Sequence, residues 1–136
     1  MTKTLLQTLT TLGCLWSVSL PALAMTETQA SSNMMYFAFA MKEGELCGKL
    51  GFPGMQVLRR WEQQNAAVLV KSLRRVEDYA LATQKLTREQ AKDVSLGLFL
   101  RHKESFDREM APNVGAANCM RLGETLRLYE TKLIRE

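Results

Sequence analysis

One histidine, His102, and three prolines are all that this 136-residue chain contains of either residue type. A lone histidine gives the chain one side chain that titrates near neutrality, and there is no G-x-S-x-G nucleophile, phosphate-binding glycine loop, dinucleotide fingerprint, haem-attachment motif or H-E-x-x-H helix. The common enzyme classes lose their usual signatures, and a non-enzymatic protein without cofactor is expected. Zinc needs three or four His, Cys or carboxylate ligands at defined spacing, and the cysteines have a better use for each other, so no metal site is expected. No stretch alternates apolar and polar residues for long enough to suggest a strand. Nor does one sign of charge dominate: 18 Lys and Arg stand against 14 Asp and Glu. That balance gives no reason to expect a nucleic-acid partner.

What is present begins with a leader. Lys3 precedes an apolar run from Leu12 to Leu23, closed by Pro21 and the pattern Ala22-Leu23-Ala24. This is the layout of a cleavable signal peptide, residues 1–24. Thr8, Thr10, Thr11, Ser17 and Ser19 dilute the run below what a membrane span needs, so no stable membrane anchor is expected after cleavage. Cys14 is poorly placed for lipid attachment, because Thr11 stands where leucine is usual and the apolar run continues past the cysteine. The expected location is therefore periplasmic or secreted. Residues 25–32, polar and small, read as a flexible arm, and 33–136 as one helical domain.

Cleavage leaves Cys47 and Cys119, which in an oxidising compartment are expected to form one disulfide. Four helices surround them. The first runs from Ser32 or Asn33 to Leu50, with Tyr36, Phe39, Glu43, Cys47 and Leu50 on one face. The second runs from about Met55 to Gln84 along a stripe Leu58, Trp61, Asn65, Val68, Ser72, Val76, Tyr79, Thr83, with a kink or break expected near Gln63–Asn65 because of its length. The third opens at the capping box Thr87-Arg88-Glu89-Gln90 and ends before Pro112; the fourth follows Cys119, Leu122, Leu126, Tyr129 and Leu133. The fold class is all-α: a small antiparallel four-helix bundle, five helices if the second breaks, bridged by Cys47–Cys119.

Two surfaces are candidates for binding. Met34 to Met41, MMYFAFAM, is apolar around its whole circumference, which means either simple burial or a covered contact surface; on the second reading Met34, Phe37 and Met41 face a partner. Arg60, Lys71 and Arg74 share one side of the second helix and suit an acidic partner or phosphate groups, unless Glu62, Glu77 and Asp78 pair with them along the helix. A catalytic alternative would pair His102 with Glu43, the carboxylate that interrupts the first stripe. Arg60 and Lys71 also echo the cationic pair of secreted chorismate mutases, but Ala80 and Thr83 stand where acidic and arginine residues would follow, and that resemblance is not adopted.

The layout of an exported helical domain with one cysteine on an early helix and one on the last resembles the periplasmic immunity proteins that neutralise type VI secretion amidases. The resemblance is one of layout, carries no motif, and assigns no residue a role. It implies a protein-binding accessory, an inhibitor or immunity protein against a secreted effector. The alternative is a bundle that binds a small apolar or anionic ligand.

Overall fold

The computed structural model describes residues 24–136, so the expected leader lies outside the described residues except for Ala24. Among the described residues there are helices and turns and no strand: α1 (Glu27–Lys49), α2 (Gly54–Gln84), α3 (Arg88–Glu109), a 3₁₀ turn (Ala111–Asn113), α4 (Ala116–Met120) and α5 (Leu122–Lys132). The small helical bundle with a Cys47–Cys119 disulfide is thus observed. None of these helices is long and apolar enough to cross a membrane.

Helix α1 starts six residues earlier than its apolar run suggests. Thr26 caps it, accepting from Gln29 N at 3.2 Å while Gln29 Oε1 accepts from Thr26 N at 2.8 Å. This is the same reciprocal box that opens α3 at Thr87 and Gln90. The stretch 25–32, expected as a loose arm, is therefore structured: Met25 and Ala30 are buried, and Glu27 onward is helical.

α1 is also the central helix. Its neighbours α2, α3 and α5 enclose it, which is why Ala30, Asn33, Met34, Phe37, Ala38, Ala40, Gly44 and Cys47 are buried although they do not form one narrow stripe. An apolar circumference is what a helix surrounded by others requires. Phe37 meets Trp61 of α2 in a tilted pair at 4.8 Å between ring centroids, Phe39 meets Phe106 of α3 edge-on at 5.4 Å, and Tyr36 meets Tyr129 of α5 at 5.6 Å. Three aromatic contacts in three directions anchor the three partners.

The turn into α2 is tight. Gly51 adopts φ +86°, a conformation that glycine enters without a Cβ penalty. Phe52 N then donates back to Cys47 O at 2.9 Å, closing the end of α1. Gly44 and Gly54 let the two helices touch: a Cβ on Gly54 would lie 2.7 Å from Gly44 O and 2.9 Å from Cys47 Cβ.

α2 is one continuous helix of 31 residues, so the break expected near Gln63–Asn65 is absent. Its buried positions, Leu58, Trp61, Asn65, Val68, Ser72, Val76 and Ala80, keep steps of three and four throughout, and one side therefore faces α1 along its length. Asn65 does not cap a new helix. Its amide donates to Trp61 O at 2.9 Å, and its carbonyl accepts from Arg135. The chain's extra helix comes instead from the last segment, which divides at Arg121 into α4 and α5.

That segment runs antiparallel to α1, since Cys119 pairs with Cys47, Tyr129 with Glu43, and Ile134 with Asn33. It is pinned at both ends, covalently at Cys119 and by hydrogen bonds at Ile134. The side-chain amide of Asn33, wholly buried, donates to Ile134 O at 2.7 Å and to Ser72 Oγ at 3.0 Å, and its carbonyl accepts from Ile134 N at 2.8 Å.

Candidate binding groove

Placement of the side chains separates the expected candidates. Met34 and Phe37 are 0% and 1% exposed and belong to the core, and Met41 is half-buried. The partner surface expected at Met34, Phe37 and Met41 is thus corrected: α2, α3 and α5 cover this part of α1, and the segment's apolar character is used in folding.

His102 and Glu43 are not brought together. His102 Nε2 lies 3.2 Å from Ser31 Oγ, near the start of α1. Glu43 stands twelve residues further along that helix, about 18 Å at its rise per residue, and accepts from the Tyr129 hydroxyl at 3.2 Å. Burial lowers the His102 pKa, as does the Arg101 charge beside it, while its hydrogen bond to Ser31 acts the other way. Burial also pushes the Glu43 carboxyl above its ordinary value, with the Tyr129 bond partly opposing. Tyr129 in turn is held well above the usual phenol range by burial and by the neighbouring carboxylate.

These shifts have opposite consequences. A raised carboxyl favours the folded state below its unfolded pKa, and that contribution is lost as pH rises through the folded value; a lowered imidazole costs stability as pH falls below the ordinary histidine range. Glu43→Gln keeps an acceptor for Tyr129 and removes the buried charge. Urea unfolding at a series of pH values should find the variant more stable than the parent at neutral pH, with the difference shrinking as pH falls toward the ordinary carboxylate range. A variant less stable at neutral pH would mean that the ionised carboxylate holds Tyr129 in place more strongly than its burial opposes folding.

Arg60, Lys71 and Arg74 behave differently from the α1 candidates. All three are exposed on α2, spread over fourteen residues or about 21 Å of helix. Lys71 and Arg74 line an open groove of about 830 Å³ with Ala24, Met25, Ala67, Val70, Arg75 and Asp78, and its far side is made by Arg135 and Glu136. Arg60 lies beyond the groove, two turns toward the start of α2. The groove's α2 wall follows from spacing, because residues 67, 70, 71, 74, 75 and 78 fall on one side of the helix.

The opposite wall depends on the Asn33 clamp, which holds the extended tail against α1. Lys71 Nζ donates to Arg135 O at 3.1 Å, and the Arg135 guanidinium reaches Asn65 Oδ1 at 2.9 Å and Glu130 at 3.3 Å. Arg60, Arg74 and Arg75 have no ion pair among the described residues. The Arg75 Nε is buried without a hydrogen-bond acceptor. Arg75 follows Arg74 directly in the sequence, whereas nothing local in the sequence points to Arg135. It lies beyond α5, in a tail whose course depends on a side chain a hundred residues away.

A second, smaller groove of about 420 Å³ lies between α2 and α3, walled by Leu69, Leu73, Leu96 and Phe99. Among the described residues no three His, Cys, Asp or Glu side chains cluster as metal ligands would. No family model, no curated protein and no solved structure matches the chain.

Proposed function

We propose that this is an exported, non-enzymatic binding accessory that engages an acidic protein through the outward face of α2, in the manner of an inhibitor or immunity protein for a secreted effector. One observation carries the reading: Arg60, Lys71 and Arg74 lie on one exposed side of an uninterrupted helix, and Arg60 and Arg74 make no ion pair among the described residues. Guanidinium groups held in this way attract carboxylates and speed encounter with a negatively charged surface. Ala67 and Val70, exposed between the charges, add apolar contact area. The disulfide suits the oxidising compartment that such a partner would share. The separation of His102 from Glu43 leaves the catalytic alternative without its acid–base pair.

The test is affinity capture from periplasmic and culture extracts with the parent protein and with Arg60→Glu/Lys71→Glu/Arg74→Glu, after circular dichroism has shown equal helicity. A stoichiometric protein partner should bind the parent, weaken as salt is raised, and lose on the order of tenfold in affinity for each reversed charge, about 1.4 kcal/mol apiece. A partner held equally by both proteins would place the interface elsewhere. Absence of any partner would overturn the protein-binding reading.

A further inference from the structure

We propose that the groove between α2 and the chain ends is a ligand site for a single-chain amphiphile with an anionic headgroup, of the fatty-carboxylate class. The inference goes beyond the protein-binding reading and does not depend on it, although Lys71 and Arg74 border both surfaces.

Size, wall chemistry and unmet hydrogen bonding all support this assignment. The volume of about 830 Å³ falls within the range of small-molecule sites. Along α2 the groove runs from Ala67 to Asp78, eleven residues or about 16 Å, so it is elongated rather than round. Met25, Ala67 and Val70 provide an apolar lining, while Lys71, Arg74, Arg75 and Arg135 supply four cationic side chains. Asp78 and Glu136 also line it; with the α-carboxylate of Glu136, three carboxylates stand against four cationic side chains, a balance that leaves the groove attractive to a single negative charge. Arg75 lines the groove, its Nε has no acceptor among the described residues, and a guanidinium offers N–H groups that a carboxylate accepts once the side chain turns toward it.

The same features disfavour other occupants. An extended peptide would want a free backbone edge to pair with; the α2 wall is helical, and on the tail wall Ile134 N and O are taken by Asn33 and Arg135 O by Lys71. A bare phosphate would gain nothing from the apolar lining.

The experiment is calorimetric titration of the purified protein with dodecanoate below its micelle concentration, alongside dodecanol, dodecyltrimethylammonium and phosphatidylglycerol vesicles. Dodecanoate should bind with one-to-one stoichiometry and at least about tenfold more tightly than either of the other single-chain probes. Arg74→Met/Arg75→Met should remove that preference for the anion. Val70→Trp should block binding by filling the lining; Val70 is 48% exposed, so the change spares the core, and unchanged thermal unfolding would verify this. Equal affinity for dodecanol, binding indifferent to both variants, uptake on vesicles without binding of the monomer, or no binding at all would each overturn the assignment. Loss of the preference for dodecanoate in Arg75→Met alone, with protein capture intact, would separate this site from the α2 protein-binding face, of which Arg75 is not part.

Discussion

Replacing Cys47 and Cys119 together by serine should lower the free energy of unfolding by about 4 kcal/mol, the loop-entropy expectation for a bridge across 72 residues. For a domain of this size that corresponds to a fall of roughly 15–25 °C in the unfolding midpoint. Few single changes in a small domain are so costly, because total stability is only about 5–15 kcal/mol. The bridge also has a local role. It fixes α4 against the end of α1, and α5 then packs on α1 and α2. Amide exchange in 116–132 should accordingly rise more than in α1–α3. Urea unfolding of the parent and the double variant provides the measurement, and a difference below about 1 kcal/mol would mean that the clamp at the other end of the segment suffices to hold it.

Asn33→Ala should destabilise by about 2–3 kcal/mol, a large effect for a side chain of this size. Three strong hydrogen bonds leave with the amide, one donated by Ile134 N and two donated to Ile134 O and Ser72 Oγ, along with a longer contact to the Met25 sulfur. Ser72 keeps its bond to Val68 O, and Ile134 regains water once the tail detaches, which keeps the cost below that of three permanently orphaned groups. Asn33→Asp should be worse, since it retains the acceptor for Ile134 N, loses both donors and buries a charge. Because Arg135 and Glu136 form one side of the groove, Asn33→Ala should also make the last residues susceptible to carboxypeptidase and weaken dodecanoate binding. A tail still resistant to digestion would show that Leu133, buried beside Leu126 in the same core cluster, anchors it alone.

The sequence made the helices legible where a local signal was clear. The Thr87 box, the Gly51–Gly54 turn, the stripe of α2 and the cysteine pair all have local chemical causes. An equivalent box at Thr26 and Gln29 escaped because the residues around it are small and polar, a composition that resembles a loose arm. Met34 and Phe37 were misplaced for a different reason. An apolar circumference means either a covered helix or a sticky one, and only the arrangement of α2, α3 and α5 decides between them. The expected break in α2 came from comparing helix lengths, whereas nothing in its spacing interrupts the core-facing side. Of the groove, the α2 cations were readable from spacing. The tail wall was not, because Asn33 and Ile134 are joined only through the tertiary fold.

The two ends of the described chain meet at one place, for Ala24 and Met25 share the groove with Arg135 and Glu136. Ends that meet can be exchanged for a loop elsewhere. A circular permutant that joins residue 136 to residue 25 through a short flexible linker, and opens at Phe52–Pro53, keeps every helix intact and places its new termini at the opposite end of α1. Affinity tags and surface tethers attached there leave the groove uncovered, whereas the same attachments at residues 25 and 136 project across its mouth.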